Sequence, residues 1–273
     1  MLLRDRCWLW GHPEGCFNTT KEYGLTSPSR MTPMECCDYL GISNTFMVPM
    51  GIDVNRRQYN KSFKRLNNVG WDCFNAAVSP EKIEMLIDDA KNFSNITLGV
   101  FDDFKNSDEK DMPPRYKRFP IQNLYDVINR MHNNEVRRLD AWMVLYTRLF
   151  GVDEQDDREF QPYMDAFDGV IMWTWEEFNI PVIPEKFEIF KKLTPNNRRM
   201  FGCYLYDFHQ GKQSTPELVK WQLDFYYEQI KKGDAEGIVF HTNTMADLDF
   251  EAYDVACKWL EEHGDEEYEN VEK

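Results

Sequence analysis

The segment Gly99-Val100-Phe101-Asp102-Asp103-Phe104 places two adjacent carboxylates at the end of an apolar run. Two carboxyl groups sharing one site have a chemical use. One can stay protonated as an acid, while its neighbour remains ionised and raises the first one's pKa. Phe101 and Phe104 add desolvation, which acts in the same direction. Asp103 is the expected general acid/base, and Asp102, Glu176 or Asp207 the expected second carboxylate. Glu176 follows the aromatic cluster Trp173-Thr174-Trp175, and Asp207 sits within Tyr204-Leu205-Tyr206-Asp207-Phe208-His209. A pair such as Asp102-Asp103 also has a plainer use, capping a loop or holding Lys105. What favours chemistry is the element that must present it.

That element is one of eight apolar runs of strand length: 7–10, 45–49, 70–75, 96–102, 141–146, 169–175, 200–206 and 237–241. They alternate with eight segments of helical periodicity: 33–40, 55–67, 80–92, 121–134, 159–167, 184–193, 216–232 and 250–262. Such alternation implies a parallel sheet with helical crossovers. An open doubly wound sheet would satisfy it as well, but a count of eight and eight with no remainder predicts a closed (β/α)₈ barrel over 1–273, with an acidic tail from about 262. Thr32-Pro33, Ser79-Pro80 and Thr215-Pro216 each place a capping hydroxyl before a proline at a helix start. Glu35 completes a capping box with Thr32.

In such barrels the chemistry stands on the loops that follow the strands. The strand ends then supply Trp8, Trp10 and His12, Asn75, Tyr146, Trp173 and Trp175, Tyr206, and His241 with Asn243 as substrate-binding candidates. Indole faces stack on the C–H face of a pyranose, while amides and imidazoles bond its hydroxyls. A carbohydrate is the expected partner. A metal could draw on His12, Glu14, Asp207, His209 and His241. However, no His-x-His ends the first run and no His-Glu-x-x-His occurs, so neither metal nor other cofactor is expected. The long segments 105–120 and 147–158, following the fourth and fifth runs, are lids or surface insertions.

With Gly-Val-Phe-Asp-Asp-Phe ending its fourth strand, the chain resembles TIM-barrel glycoside hydrolases. It is similar in particular to the acetamido-sugar hydrolases with an Asp-Asp pair at that place. The resemblance implies that Asp102 orients the substrate's own 2-acetamido group as nucleophile and that Asp103 is the acid/base. The expected activity is cleavage of a glycosidic bond of a neutral or acetamido sugar. A metal-dependent hydrolase or isomerase, or a catalytically silent sugar-binding barrel, would use the same frame.

The formal charge is −15 over 273 residues. This argues against nucleic acid and anionic membrane as partners, since both require clustered Lys and Arg. Seven cysteines, with no C-x-x-C pair, read as free thiols in a reducing compartment. With no apolar leader at the start and no run of membrane-spanning length, the expected location is cytoplasmic.

Overall fold

A computed structural model of the chain describes residues 1–19, 23–25, 27–106 and 112–267. Its centre is a closed barrel of eight parallel strands: β1 (Cys7–Gly11), β2 (Asn44–Met47), β3 (Asn68–Asp72), β4 (Ile96–Phe101), β5 (Asp140–Tyr146), β6 (Gly169–Trp173), β7 (Arg198–Tyr204) and β10 (Gly237–His241). β1 closes the ring by pairing with β10 on one side and β2 on the other. The eight-membered alternation expected from the sequence is therefore the fold. A short antiparallel hairpin, β8 (Tyr206–Asp207) with β9 (Lys212–Gln213), stands above β7.

The helices are α1 (Pro33–Leu40), α2 (Arg56–Ser62), α3 (Glu81–Asn92), α4 (Ile121–His132), α5 (Glu154–Met164), α6 (Ile183–Leu193), α7 (Pro216–Lys231) and α8 (Glu251–His263). Their apolar residues recur on one face. α4 buries Leu124, Val127, Ile128 and Met131, and α3 buries Ile83, Leu86, Ile87 and Ala90. Thr32 and Glu35 close the capping box of α1, with Glu35 N–H donating to Thr32 Oγ1 at 3.3 Å and Thr32 N–H to Glu35 Oε2 at 2.8 Å. Gly41 ends that helix at φ 66°, a left-handed conformation that costs glycine little.

Several boundaries differ from the sequence reading. β3 ends at Asp72 rather than Asn75. The Asp72 carboxylate accepts the Phe74 N–H at 2.8 Å and starts a turn, which leaves Asn75 at φ 62° outside the strand. β7 ends at Tyr204, and the chain leaves the barrel for the β8–β9 hairpin. α5 starts at Glu154, within the expected loop, because Asp153 accepts the Gln155 N–H at 2.8 Å. Neither Ser79 nor Thr215 caps its own helix; the Thr215 hydroxyl donates to Glu177 instead. The described ends of the segment after β4 are tied down. Buried Lys105 pairs with Asp156 at 3.0 Å and Asp157 at 3.1 Å, and Tyr116 packs edge-on against Phe160. Residues 107–111 of that segment and 268–273 of the acidic tail lie outside the described residues.

Branched aliphatic side chains usually fill such barrels. Here large rings contribute heavily, and glycines on neighbouring strands make room for them. A Cβ at Gly169 would stand 2.4 Å from the Trp142 ring, and one at Gly202 would stand 1.9 Å from Trp173. Trp8 and Trp10 both lean on Phe46, at 4.7 and 5.5 Å between centroids. All seven cysteines are free. No helix among the described residues is long and apolar enough to cross a membrane.

Candidate functional site

At the C-terminal ends of the strands lies a cavity of about 220 Å³, walled by Trp10, Tyr146, Trp173, Trp175, Tyr204 and Phe208, with Asp102, Asp103, His12 and His241 as its polar groups. Sites for drug-sized ligands run from roughly 300 to 1,000 Å³, so this one suits a single sugar ring. Trp175 forms one wall, nearly parallel to Phe208 at 5.6 Å and edge-on to Tyr204 at 5.5 Å. Arg148 sits over the Tyr146 ring at 4.6 Å. A larger opening, about 570 Å³, lies at the other end of the barrel among Trp8, Arg198, Arg199 and Asp234. That end serves stability rather than chemistry in barrels of this type, and Arg198 is already paired with Asp140 and Glu236.

The two aspartates after β4 stand in different surroundings. Burial raises the Asp102 carboxyl well above the usual carboxylate range, with Asp103 and Asp72 adding like-charge repulsion. Asp103 faces a cation: Arg115 Nη1 lies 3.5 Å from its Oδ2, and Asn106 Nδ2 donates to its Oδ1 at 2.8 Å. Its backbone sits at φ 51°, in the left-handed region that a non-glycine residue seldom occupies. The carboxyl that burial elevates is thus Asp102, the neighbour of the residue that the sequence reading takes as the acid. Burial above all, with the charges of the Asp pair adding to it, pushes the Tyr146 and Tyr204 hydroxyls well above their ordinary range.

Asp72 is the residue that the sequence reading passed over. Its carboxylate accepts the Phe74 N–H at 2.8 Å, and the backbone N–H of Asp102 helps to offset its burial. Burial pushes it up to about 6, against the pull of Lys82. A carboxyl raised in the fold contributes stability that is full below about pH 4 and is lost as pH rises toward 6. About two units correspond to roughly 3 kcal/mol. Asp72→Asn, which cannot ionise, should therefore gain stability relative to the parent between pH 4 and pH 7. Urea unfolding at the two pH values reads this, and a constant difference would refute it.

His12 and His241 meet at the cavity with their Nε2 atoms 3.3 Å apart. Burial makes both hard to protonate, lowering His12 to about 4 and His241 well below its ordinary value.

Of the expected site residues, the cavity gathers Asp102, Asp103, Trp10, His12, Tyr146, Trp173, Trp175 and His241. The others stand elsewhere. Trp8 points into the lower barrel and lines the opposite opening. Asn75 borders a small cleft on the far side of Asp102 with Phe74 and Arg115. Asp207 is buried within the hairpin itself, at the end of β8, where its Oδ1 accepts the N–H groups of His209 and Gln210. Tyr206 donates to the Tyr23 carbonyl and stacks on Phe250. Asn243 binds both N–H and C=O of His12, so it positions that residue without entering the cavity. Glu176 sits outside, held by Asn179 at 3.3 Å with Arg148 at 3.9 Å. Phe17, Tyr23, Tyr204 and Phe208 join the wall unforeseen. Among the described residues no three metal-ligating side chains converge.

No family model matches the sequence, and no curated protein matches it. Among solved structures, the chain is similar to active domain 2 of a thermostable chitinase from Pyrococcus furiosus, solved with chito-oligosaccharides (TM-score 0.59, 11% identity, 97% of each chain). It is also similar to the PgaB glycoside hydrolase domain from Bordetella bronchiseptica (TM-score 0.50, 11% identity, 97% of this chain and 100% of that one). At these identities the shared feature is the barrel.

Proposed function

We propose that the chain is a glycoside hydrolase-like enzyme that cleaves a glycosidic bond of a neutral or acetamido sugar, with Asp102 as proton donor and Asp103 as its ionised partner. One observation carries this reading: an elevated carboxyl and a cation-paired carboxylate stand side by side in an aromatic cavity of one-ring size. Both similar barrels belong to proteins described as acting on glycosides.

Asp102 gives its proton to the glycosidic oxygen as the C–O bond breaks, and the leaving group departs as an alcohol. Asp103, held by Arg115 and Asn106, accepts either the N–H of a 2-acetamido group, whose carbonyl oxygen then attacks the anomeric carbon, or the proton of an attacking water. On the first route, water later opens the cyclic intermediate and returns a proton to Asp102. These roles reverse the order that the family resemblance implies for the pair.

Intrinsic fluorescence should respond to N-acetylglucosamine or glucose, since tryptophan and tyrosine rings make up most of the wall that would meet the sugar. Trp175→Ala should weaken that binding about three- to tenfold, the worth of one aromatic contact. A variant that binds as tightly as the parent makes Trp175 a packing residue. A panel of aryl glycosides tests the activity itself. Hydrolysis of none of them, with sugar binding intact, would leave a silent binding barrel.

A further inference from the structure

The contact between His12 and His241 determines where each proton sits. His12 Nδ1 lies 2.7 Å from the Val48 carbonyl oxygen. A carbonyl only accepts, so His12 carries its proton on Nδ1 and presents a lone pair at Nε2. The facing His241 Nε2, at 3.3 Å, must then be the donor. A neutral imidazole has one N–H, so His241 Nδ1 is left as a bare acceptor. Burial, which disfavours protonation of both rings, agrees with this assignment.

His241 Nδ1 is buried and has no hydrogen-bond partner. Trp173 Nε1, whose N–H can only donate, is also buried without a partner. The two rings meet edge-on, 5.9 Å between centroids, and both line the cavity. The other rings packed against His241 are those of Phe17, Phe208 and Tyr204, and none of them supplies a partner to its Nδ1. Buried polar atoms in native proteins are almost always satisfied, so an orphan acceptor on one ring and an orphan donor on the ring packed against it call for a group able to serve both. A hydroxyl is such a group.

We propose that His241 Nδ1 and Trp173 Nε1 form a hydroxyl-recognition point, where one sugar hydroxyl donates to His241 and accepts from Trp173. The relay from Val48 through His12 keeps His241 in the accepting tautomer. This rests on the sugar reading above and narrows it: the substrate carries a free, unacylated hydroxyl at the carbon that reaches these two rings. A site built to bond a hydroxyl discriminates strongly against the analogue that lacks it, because its own buried groups are then left unpaired.

The ¹⁵N NMR spectrum of the imidazoles at pH 7 tests the first half. The Nδ1–H form is expected for His12 and the Nε2–H form for His241; the opposite assignment at His241 overturns the proposal. Titration with N-acetylglucosamine, glucose and their 3-, 4- and 6-deoxy forms tests the second half. One deoxy sugar should bind the parent protein at least about tenfold more weakly than its hydroxylated form. His241→Phe, which keeps a ring in place, should bind the two within about twofold of each other. If this variant does not fold, His12→Phe removes the group that fixes the His241 tautomer and should shrink the same ratio. An unchanged ratio in the folded variant overturns the recognition point and leaves the sugar reading standing. If neither parent sugar binds while the tautomers are as assigned, the sugar reading fails and this proposal with it.

Discussion

Gly202→Ala is expected to destabilise the barrel by about 3 kcal/mol or more, the upper end of what overpacking a core costs. The new Cβ would lie 1.9 Å from Trp173 Cδ2, 2.1 Å from Cε3 and 2.4 Å from Cε2. These are atoms of a rigid bicycle, not the loose end of a flexible chain. Trp173 is hemmed in by Trp10 at 5.4 Å and Tyr204 at 4.7 Å between ring centroids, and can shift only by tilting into the cavity it lines. β7 cannot yield, because it is bonded to β6 and β10 along its length. Removal of the ring should relieve the clash. Trp173→Leu alone opens a void, but Gly202→Ala combined with Trp173→Leu should be markedly more stable than the two separate losses predict. Urea unfolding of the parent, both single variants and the double variant measures that coupling. A loss under about 0.5 kcal/mol for Gly202→Ala would mean that the Trp173 ring yields freely to the new methyl group.

The barrel was legible in the sequence because strands buried on both faces read as unbroken apolar runs, and helices between them keep their own period. The site was legible only where a strand ends cleanly. Phe101-Asp102-Asp103 is such a place, and both aspartates reach the cavity. On β1, Trp8 and Trp10 share the inward face by alternation, yet only Trp10 is high enough to meet the mouth. Spacing gives the face of a residue but not its layer. The remaining differences have one cause. Asp72, Asp207 and Asn243 all stand at strand ends, and their short polar side chains bind nearby backbone. A residue type that suits a ligand also suits a turn, and sequence spacing does not separate the two uses. The pattern Asp72-Cys73-Phe74 was readable as such a turn, and would have ended β3 three residues earlier. Arg115 stands twelve positions after Asp103 in the sequence, so no local pattern announces their pairing.

Asp102→Asn should lower hydrolysis of glycosides with poor leaving groups by at least about 10²-fold, the lower end for lost acid catalysis. Aryl glycosides, whose leaving groups need little protonation, should lose much less. The pH profile then separates a proton donor from a residue that merely shapes the cavity. A donor works while protonated, so the parent's activity should fall on the alkaline side as Asp102 ionises. The Asp103 charge raises the Asp102 carboxyl and the Arg115 charge lowers it. Asp103→Asn should accordingly move the alkaline limb to lower pH, whatever it does to the maximal rate. Arg115→Met should move that limb to higher pH. Opposite displacements by two neighbours of opposite charge are the signature of a titrating group between them, and a structural role for Asp102 predicts neither. If Asp102→Asn instead cleaves both substrate classes at near-parent rates while Asp103→Asn shows the leaving-group dependence, then Asp103 is the acid, and the order implied by the resemblance holds.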